Sequence, residues 1–190
     1  TPRSLPEIGK RFGGRDHTPF PLLPGMRERT IYLNGFSKAY AMTGWRVGYM
    51  AAPEAFTRQL VEPHHTLSIN ANTPAQYGAL AAITGPQDAV EAMREEYAER
   101  RAYMMEALSQ MGLTYGHPGG AFYIYTNVSS TGLAAPEFCM ELLRKTGVMI
   151  FPGELFGDDS GKYVRISYLQ PLPRIREAVD RMGKFMGGLT

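Results

Sequence analysis

Apolar and polar positions recur along this chain with two periods, and each change of period marks an element. Residues 30–33 and 46–52 are short apolar runs that read as buried strands. Residues 34–45 between them read as a loop or one short helical turn. A helix is predicted to start near Pro53, since a first turn tolerates proline, and to run towards Pro63. A second, alanine-rich helix is expected over 75–83, after Pro74 and before Gly85. The clearest helical period covers 86–111, where Val90, Met93, Tyr97, Met104, Leu108 and Met111 recur at spacings of three, four or seven. Gly112 ends it. Beyond lie a strand over 121–127, a helix over 136–146 ended by Gly147, and strands over 148–151 and 163–168. A last helix over 173–186 turns Ile175, Val179, Met182 and Phe185 or Met186 inward.

Strands mixed with helices put the chain in the α/β class. The first 29 residues are expected to be irregular, because Pro2, Pro6, Pro19, Pro21 and Pro24 alternate with Gly9, Gly13, Gly14 and Gly25. At about 150 residues per domain, 190 residues make one large domain or two small ones. A composition shift near residue 85, where a long charged helix begins, predicts a boundary between 1–85 and 86–190. The formal net charge is only +2 and no long basic run is present, which gives no footprint for nucleic acid. The longest apolar runs are far too short to cross a bilayer. The single cysteine, Cys139, excludes a disulfide framework and fits a reducing, cytoplasmic compartment. The start Thr-Pro-Arg is neither a signal peptide nor an ordinary translation start, so a fragment is expected.

Several familiar sites can be set aside. There is no glycine-rich phosphate loop ending in Lys-Ser or Lys-Thr, and no dinucleotide glycine fingerprint after a strand. His64 and His65 are adjacent, point to different faces and have no metal-spaced partner, so they read as helix-end histidines and no metal is expected. Cys139 sits in an apolar helix stripe, where packing is its simplest role.

Lys38 is different. It directly follows a strand, flanked by Ser37 and small residues, and is poorly placed to be a solvated surface charge. An amine held in a partly desolvated pocket becomes a nucleophile able to form a Schiff base. Arg46 comes eight residues later at the mouth of a strand, where its planar fork suits a phosphate. Gly44 and Gly48 would let a phosphate approach the backbone. Spacing alone leaves two readings, a cofactor site or an ordinary strand-end Lys/Arg pair. Arg165 alternates with Val164 and Ile166, so it faces away from their side of an apolar strand.

The sixteen residues Asn-Gly-Phe-Ser-Lys-Ala-Tyr-Ala-Met-Thr-Gly-Trp-Arg-Val-Gly-Tyr, from Asn34 to Tyr49, resemble the lysine signature of the class I/II aminotransferases. The resemblance continues in His117-Pro118-Gly119-Gly120-Ala121-Phe122-Tyr123, in Phe151-Pro152-Gly153-Glu154-Leu155-Phe156-Gly157, and in Tyr163-Val164-Arg165-Ile166-Ser167-Tyr168. It implies the C-terminal part of a pyridoxal-phosphate-dependent transferase fold: the end of the large-domain sheet plus a small α+β domain. It implies pyridoxal 5'-phosphate as cofactor, an amino acid and a 2-oxo acid as substrates, and a homodimer in the full-length family. Lys38 would carry the cofactor as a Schiff base and shuttle a proton. Arg46, with Ser37 nearby, would bind the cofactor phosphate, and Arg165 would hold the substrate α-carboxylate. Tyr40 and Trp45 would be pocket walls or packing, and Asn70 and Asn72 would lie towards the dimer interface.

Upstream, the family pattern Asp-Glu-Ile-Tyr is matched here by Pro6-Glu7-Ile8-Gly9. Pro6 brings no carboxylate for the ring nitrogen, Gly9 brings no hydroxyl, and Glu7 would face the other side of a strand. The resemblance covers about residues 20–190 but only the C-terminal half of the family enzyme, so the isolated chain is expected to be inactive. A related pyridoxal-phosphate lyase or synthase, or a non-catalytic remnant, is the alternative.

Overall fold

The backbone of Gly48 lies so close to the neighbouring strand that a Cβ there would stand 2.8 Å from the Asn34 carbonyl oxygen. This close approach lets β1 (Tyr32–Gly35) and β2 (Gly48–Ala51) pair antiparallel, with Gly35 opposite Gly48 and Tyr32 opposite Ala51. In the computed structural model, which describes residues 18–189, the two strands pair only with each other. The sequence predicts them to be buried, but Leu33 is 72% exposed and most of both strands faces outward. A two-stranded ribbon buries a face only where another element covers it, and here Tyr49 of β2 packs against the small core of this unit.

The chain divides between Ala92 and Met93 into two compact units. The expected break near residue 85 falls in the short connection before the long helix, whereas the units part inside that helix. The first unit also holds 3₁₀ turns at Phe20–Leu22, Arg27–Arg29 and Thr43–Trp45, and three helices: α1 (Phe36–Ala39), α2 (Glu54–Ser68) and α3 (Thr73–Thr84). Its core is small. Phe36, Met42 and Val47 are buried against Ala75 and Ala79 of α3, with Tyr40, Tyr49 and Ile83 packed around them.

α2 does not stop at Pro63, as the sequence suggests, but runs through it to Ser68. A proline removes one N–H from the ladder and bends the helix, and the remaining bonds can continue it. No residue of α2 is buried, and Leu67 is 85% exposed. α3 starts at Thr73 because the Asn72 Oδ1 accepts the Ala75 backbone N–H at 3.1 Å, satisfying one of the donors a helix start leaves open. Asn72→Ala should therefore cost about 1 kcal/mol of first-unit stability, measured by urea unfolding, while Asn72→Ser retains most of it.

The second unit begins within α4 (Asp88–Gln110), whose inward residues include Val90, Met104 and Leu108 of the predicted stripe. It also buries Arg100, which donates to the Leu169 carbonyl at 2.8 Å and pairs with Glu96. A fully antiparallel sheet follows in the order β3 (Thr114–Tyr115), β4 (Tyr123–Asn127), β6 (Tyr163–Ser167), β5 (Phe151–Pro152). Ile124, Thr126, Val164 and Ile166 face the core, and Tyr123, Tyr125, Tyr163 and Arg165 face the other side. α5 (Ala135–Thr146) buries Phe138, Cys139 and Leu142, and α6 (Leu172–Gly187) buries Ile175, Met182 and Phe185. Gly147 takes a left-handed φ of 72° to end α5, the conformation glycine adopts without penalty.

The strand expected over 148–151 is only Phe151–Pro152. Pro152 has no N–H to give a further neighbour, which fits its place on the sheet edge. β4 starts at Tyr123 rather than at 121, because Ala121 sits at a left-handed φ of 61°. Among the described residues no helix is long and apolar enough to cross a membrane.

Candidate active site

Lys38 sits in α1, the single helical turn between β1 and the Thr43–Trp45 turn. The turn forms because Phe36 is anchored in the core and its carbonyl accepts both the Tyr40 and the Met42 N–H, at 3.2 and 3.4 Å. The Phe36 N–H in turn donates to the Val47 carbonyl at 3.3 Å, closing the segment on itself. Thr43 then ties its two ends together. Its Oγ1 donates to the Ser37 carbonyl at 3.2 Å, and its own carbonyl accepts the Arg46 Nη1 at 3.0 Å. Ser37, Lys38 and Arg46 are thereby held on one knot of chain rather than on a flexible loop.

Arg46 does not begin a strand as the sequence suggests. It stands at the end of the 3₁₀ turn with φ 53° and ψ 43°, and β2 starts at Gly48. An L-residue in the left-handed region costs roughly 1–3 kcal/mol and persists only where its surroundings hold it. Here the Thr43 carbonyl on the guanidinium and the buried Val47 next in the chain do so. Lys38 is exposed, and the expected partly desolvated pocket is not formed by the described residues. The knot is packed from one side by Phe36, Met42 and α3.

The other residues of this segment also find places. The Tyr40 hydroxyl donates to the Gln87 Oε1 at 3.3 Å, and burial followed by its neighbour Tyr49 raises its pKa. Gln87 also donates to the Ala82 and Gly85 carbonyls, so it fixes the turn after α3. Trp45 lies against Gly78, where a Cβ would come within 2.8 Å of its ring. Packing is thus the observed role of both aromatics. The close approach that Gly48 permits is made to β1, and the glycine does not line an open cradle. Asn72 is a helix cap, a role its place before Thr73-Pro74 could have revealed.

Arg165 belongs to the second unit. It lies in β6 with Tyr125 directly across on β4 and Phe151 across on β5. The alternation read from Val164 and Ile166 holds, since both are buried while Arg165 is half-buried on the opposite face. Its guanidinium carbon is 3.3 Å from the centre of the Phe156 ring and 4.2 Å from that of Tyr123. Tyr125 on the same face has its pKa raised by burial and by Asp158 and Glu154, against a lowering pull from Arg165. Sequence reasoning missed the two rings. The motif Pro152-Gly153 to Phe156-Gly157 carried the signal, but its contact partner depends on how the turn folds.

The His117–Ala121 segment is clamped from α4: Arg101 Nε donates to the Pro118 carbonyl at 2.6 Å, and Arg101 Nη2 lies 2.7 Å from the His117 Nε2. Tyr168 is fully buried, its hydroxyl donates to the Ala121 carbonyl at 3.0 Å, and burial pushes its pKa to about 12. Burial also pushes the Cys139 thiol up to about 11, so it is not a nucleophile at neutral pH. Among the described residues no group of His, Cys, Asp and Glu could hold a metal ion. His64 accepts or donates one hydrogen bond with Ser68 on the exposed α2. Pro6, Glu7 and Gly9, which align with the family's Asp-Glu-Ile-Tyr pattern, lie outside the described residues.

With this geometry in hand, comparison with known proteins is decisive at the level of family. The family described as Aminotransferase class I and II matches residues 11–182. The chain is 43% identical over 169 residues to aromatic-amino-acid aminotransferase 2 of Thermococcus litoralis, covering 86% of this chain and 43% of that protein. It is 42% identical over 175 residues to an aspartate aminotransferase of Pyrococcus abyssi, covering 90% of this chain and 44% of that one. The crystal structure of an aromatic aminotransferase from Pyrococcus horikoshii superposes with a TM-score of 0.90 at 37% identity, over 95% of this chain and 49% of that one. The chain thus spans about half the length of the curated relatives it matches. Its mixed α/β architecture agrees with part of the fold of those enzymes. Lysine knot, arginine strand and sequence match converge: the chain belongs to the aminotransferase class I and II family.

Proposed function

We propose that this chain serves amino-group transfer from an amino acid to a 2-oxo acid with pyridoxal 5'-phosphate as cofactor. The observation that carries the reading is the knot in which Thr43 bonds both the Ser37 and the Arg46 segments. It presents an amine, a hydroxyl and a guanidinium from one rigid stretch, a donor set that fits a ligand carrying an aldehyde and a phosphate. Bound there, pyridoxal phosphate supplies an aldehyde for amines and an electron sink for a carbanion.

This chain's own residues do the rest. Lys38 Nζ holds the cofactor and moves a proton to and from the substrate α-carbon. The Arg46 fork binds phosphate oxygens, assisted by the Ser37 hydroxyl. Arg165 orients the substrate through its α-carboxylate, which a planar fork matches and a lysine does not. Residues 1–85 then belong to a large cofactor-binding domain and 86–190 to a small one, a division that the neighbouring Ala92/Met93 break supports. Homodimer assembly belongs to the same reading, supported by the exposed apolar residues of α2 and β1.

Product analysis tests it. Aspartate and phenylalanine are offered in turn as donors, since relatives carry those specificities in their names, with 2-oxoglutarate as acceptor and added pyridoxal phosphate. Glutamate formation above a protein-free control is the result that the transfer reading requires, and it would overturn the inactivity expected of the isolated chain. Ammonia release without glutamate points to elimination instead, and the absence of both products overturns activity of this chain. Arg165→Lys should raise KM for the donor about 10- to 100-fold, the worth of a charged bidentate contact.

A further inference from the structure

The geometry points to Phe156 and Tyr123 as positioning residues that hold the Arg165 guanidinium flat, so that its N–H edge is the surface left to a carboxylate. This rests on the reading of Arg165 as the carboxylate-binding residue. A separation of 3.3 Å between the guanidinium carbon and the Phe156 ring centre is a stacking distance, reached only by the face of that planar group. Tyr123 supplies a second ring at 4.2 Å, and is itself braced by the Phe122 ring 4.5 Å away. Among the described residues no hydrogen bond or ion pair engages the Arg165 N–H groups. The side chain is therefore oriented by aromatic contact, with its hydrogen-bonding capacity unspent.

The turn that delivers Phe156 is built for little else. It starts at Gly153, where a Cβ would stand 2.5 Å from the Tyr125 hydroxyl and 2.8 Å from the Tyr163 carbonyl, so only glycine fits. The Gly153 carbonyl accepts the Tyr125 hydroxyl at 3.1 Å and the Asp158 N–H at 3.2 Å. Gly157 then closes the turn with φ +90°. Tyr125 lies directly across from Arg165 on β4, and Phe156 itself remains 43% exposed. A ring so exposed contributes little to the core, and its close contact is with the arginine. Pre-orienting a long side chain removes an ordering cost from binding, which is how such a contact reaches affinity.

The test is NMR of the arginine Nε–Hε groups in the full chain, with pyruvate as the carboxylate probe and Arg165→Lys to assign the signal. Ring currents should set the Arg165 Hε upfield of arginines such as Arg58 and Arg144, which meet carboxylates instead. Phe156→Leu should move that signal back towards theirs and weaken pyruvate binding about tenfold. Phe156→Tyr should restore both. Unchanged affinity in Phe156→Leu, with or without a shifted signal, overturns the positioning role. If Arg165→Leu binds pyruvate as wild type does, the carboxylate reading itself fails, a result distinct from failure of the two rings.

Discussion

Replacing Lys38 by alanine should abolish covalent uptake of pyridoxal phosphate. With the wild-type chain, cofactor addition followed by borohydride reduction should leave a stable adduct on Lys38, read by peptide mass spectrometry, and a visible absorption band before reduction. The expectation is all-or-none because α1 provides one amine on a rigid turn, and alanine has nothing to replace it. Arg46→Ala is the informative companion. It removes the phosphate fork but leaves the amine, so the adduct should still form at higher cofactor concentration, by about 10- to 100-fold. Equal labelling of wild type and Lys38→Ala, spread over surface lysines, would overturn the assignment of the site. The exposure of Lys38 makes this control necessary, since exposed lysines elsewhere also meet the aldehyde.

Phe138→Ala should cost the second unit about 3–5 kcal/mol, the range for removing a buried aromatic from a packed core. Phe138 has no exposed surface, and its ring meets Phe185 edge-on with centroids 5.6 Å apart, joining α5 to α6. The alanine leaves a hole that two helices and the sheet behind them cannot close without losing other contacts. Urea unfolding followed by circular dichroism measures it. Leu67→Ala is the reference, because a side chain 85% exposed should change stability by less than about 0.5 kcal/mol. A Phe138 cost under about 1 kcal/mol would mean that the second unit is not packed as described.

Much of the second unit was legible in the chain. The alternation Tyr163-Val164-Arg165-Ile166 placed Arg165 opposite the core because side chains of a strand alternate strictly, and nothing beyond neighbours in sequence is needed for that. Gly147 after α5 and the seven-residue recurrences of α4 were equally local. The first unit was less legible. Its two apolar runs predict buried strands, but burial is a property of what lies over a strand, and Leu33 is largely exposed. Pro63 looked like a helix end, although one missing N–H only bends a helix whose other bonds persist.

Periodicity along the chain carries the class of fold, and its resemblance to a known family adds the family and the amine and guanidinium groups that are candidates. That Thr43 ties Ser37 to Arg46, that Arg46 takes a left-handed backbone, and that Phe156 and Tyr123 lie on Arg165 emerges from packing alone. Each of these joins atoms through turns whose closure depends on a distant buried side chain or on the room a glycine leaves. Such distances are fixed by packing in three dimensions, and periodicity along one dimension carries no record of them.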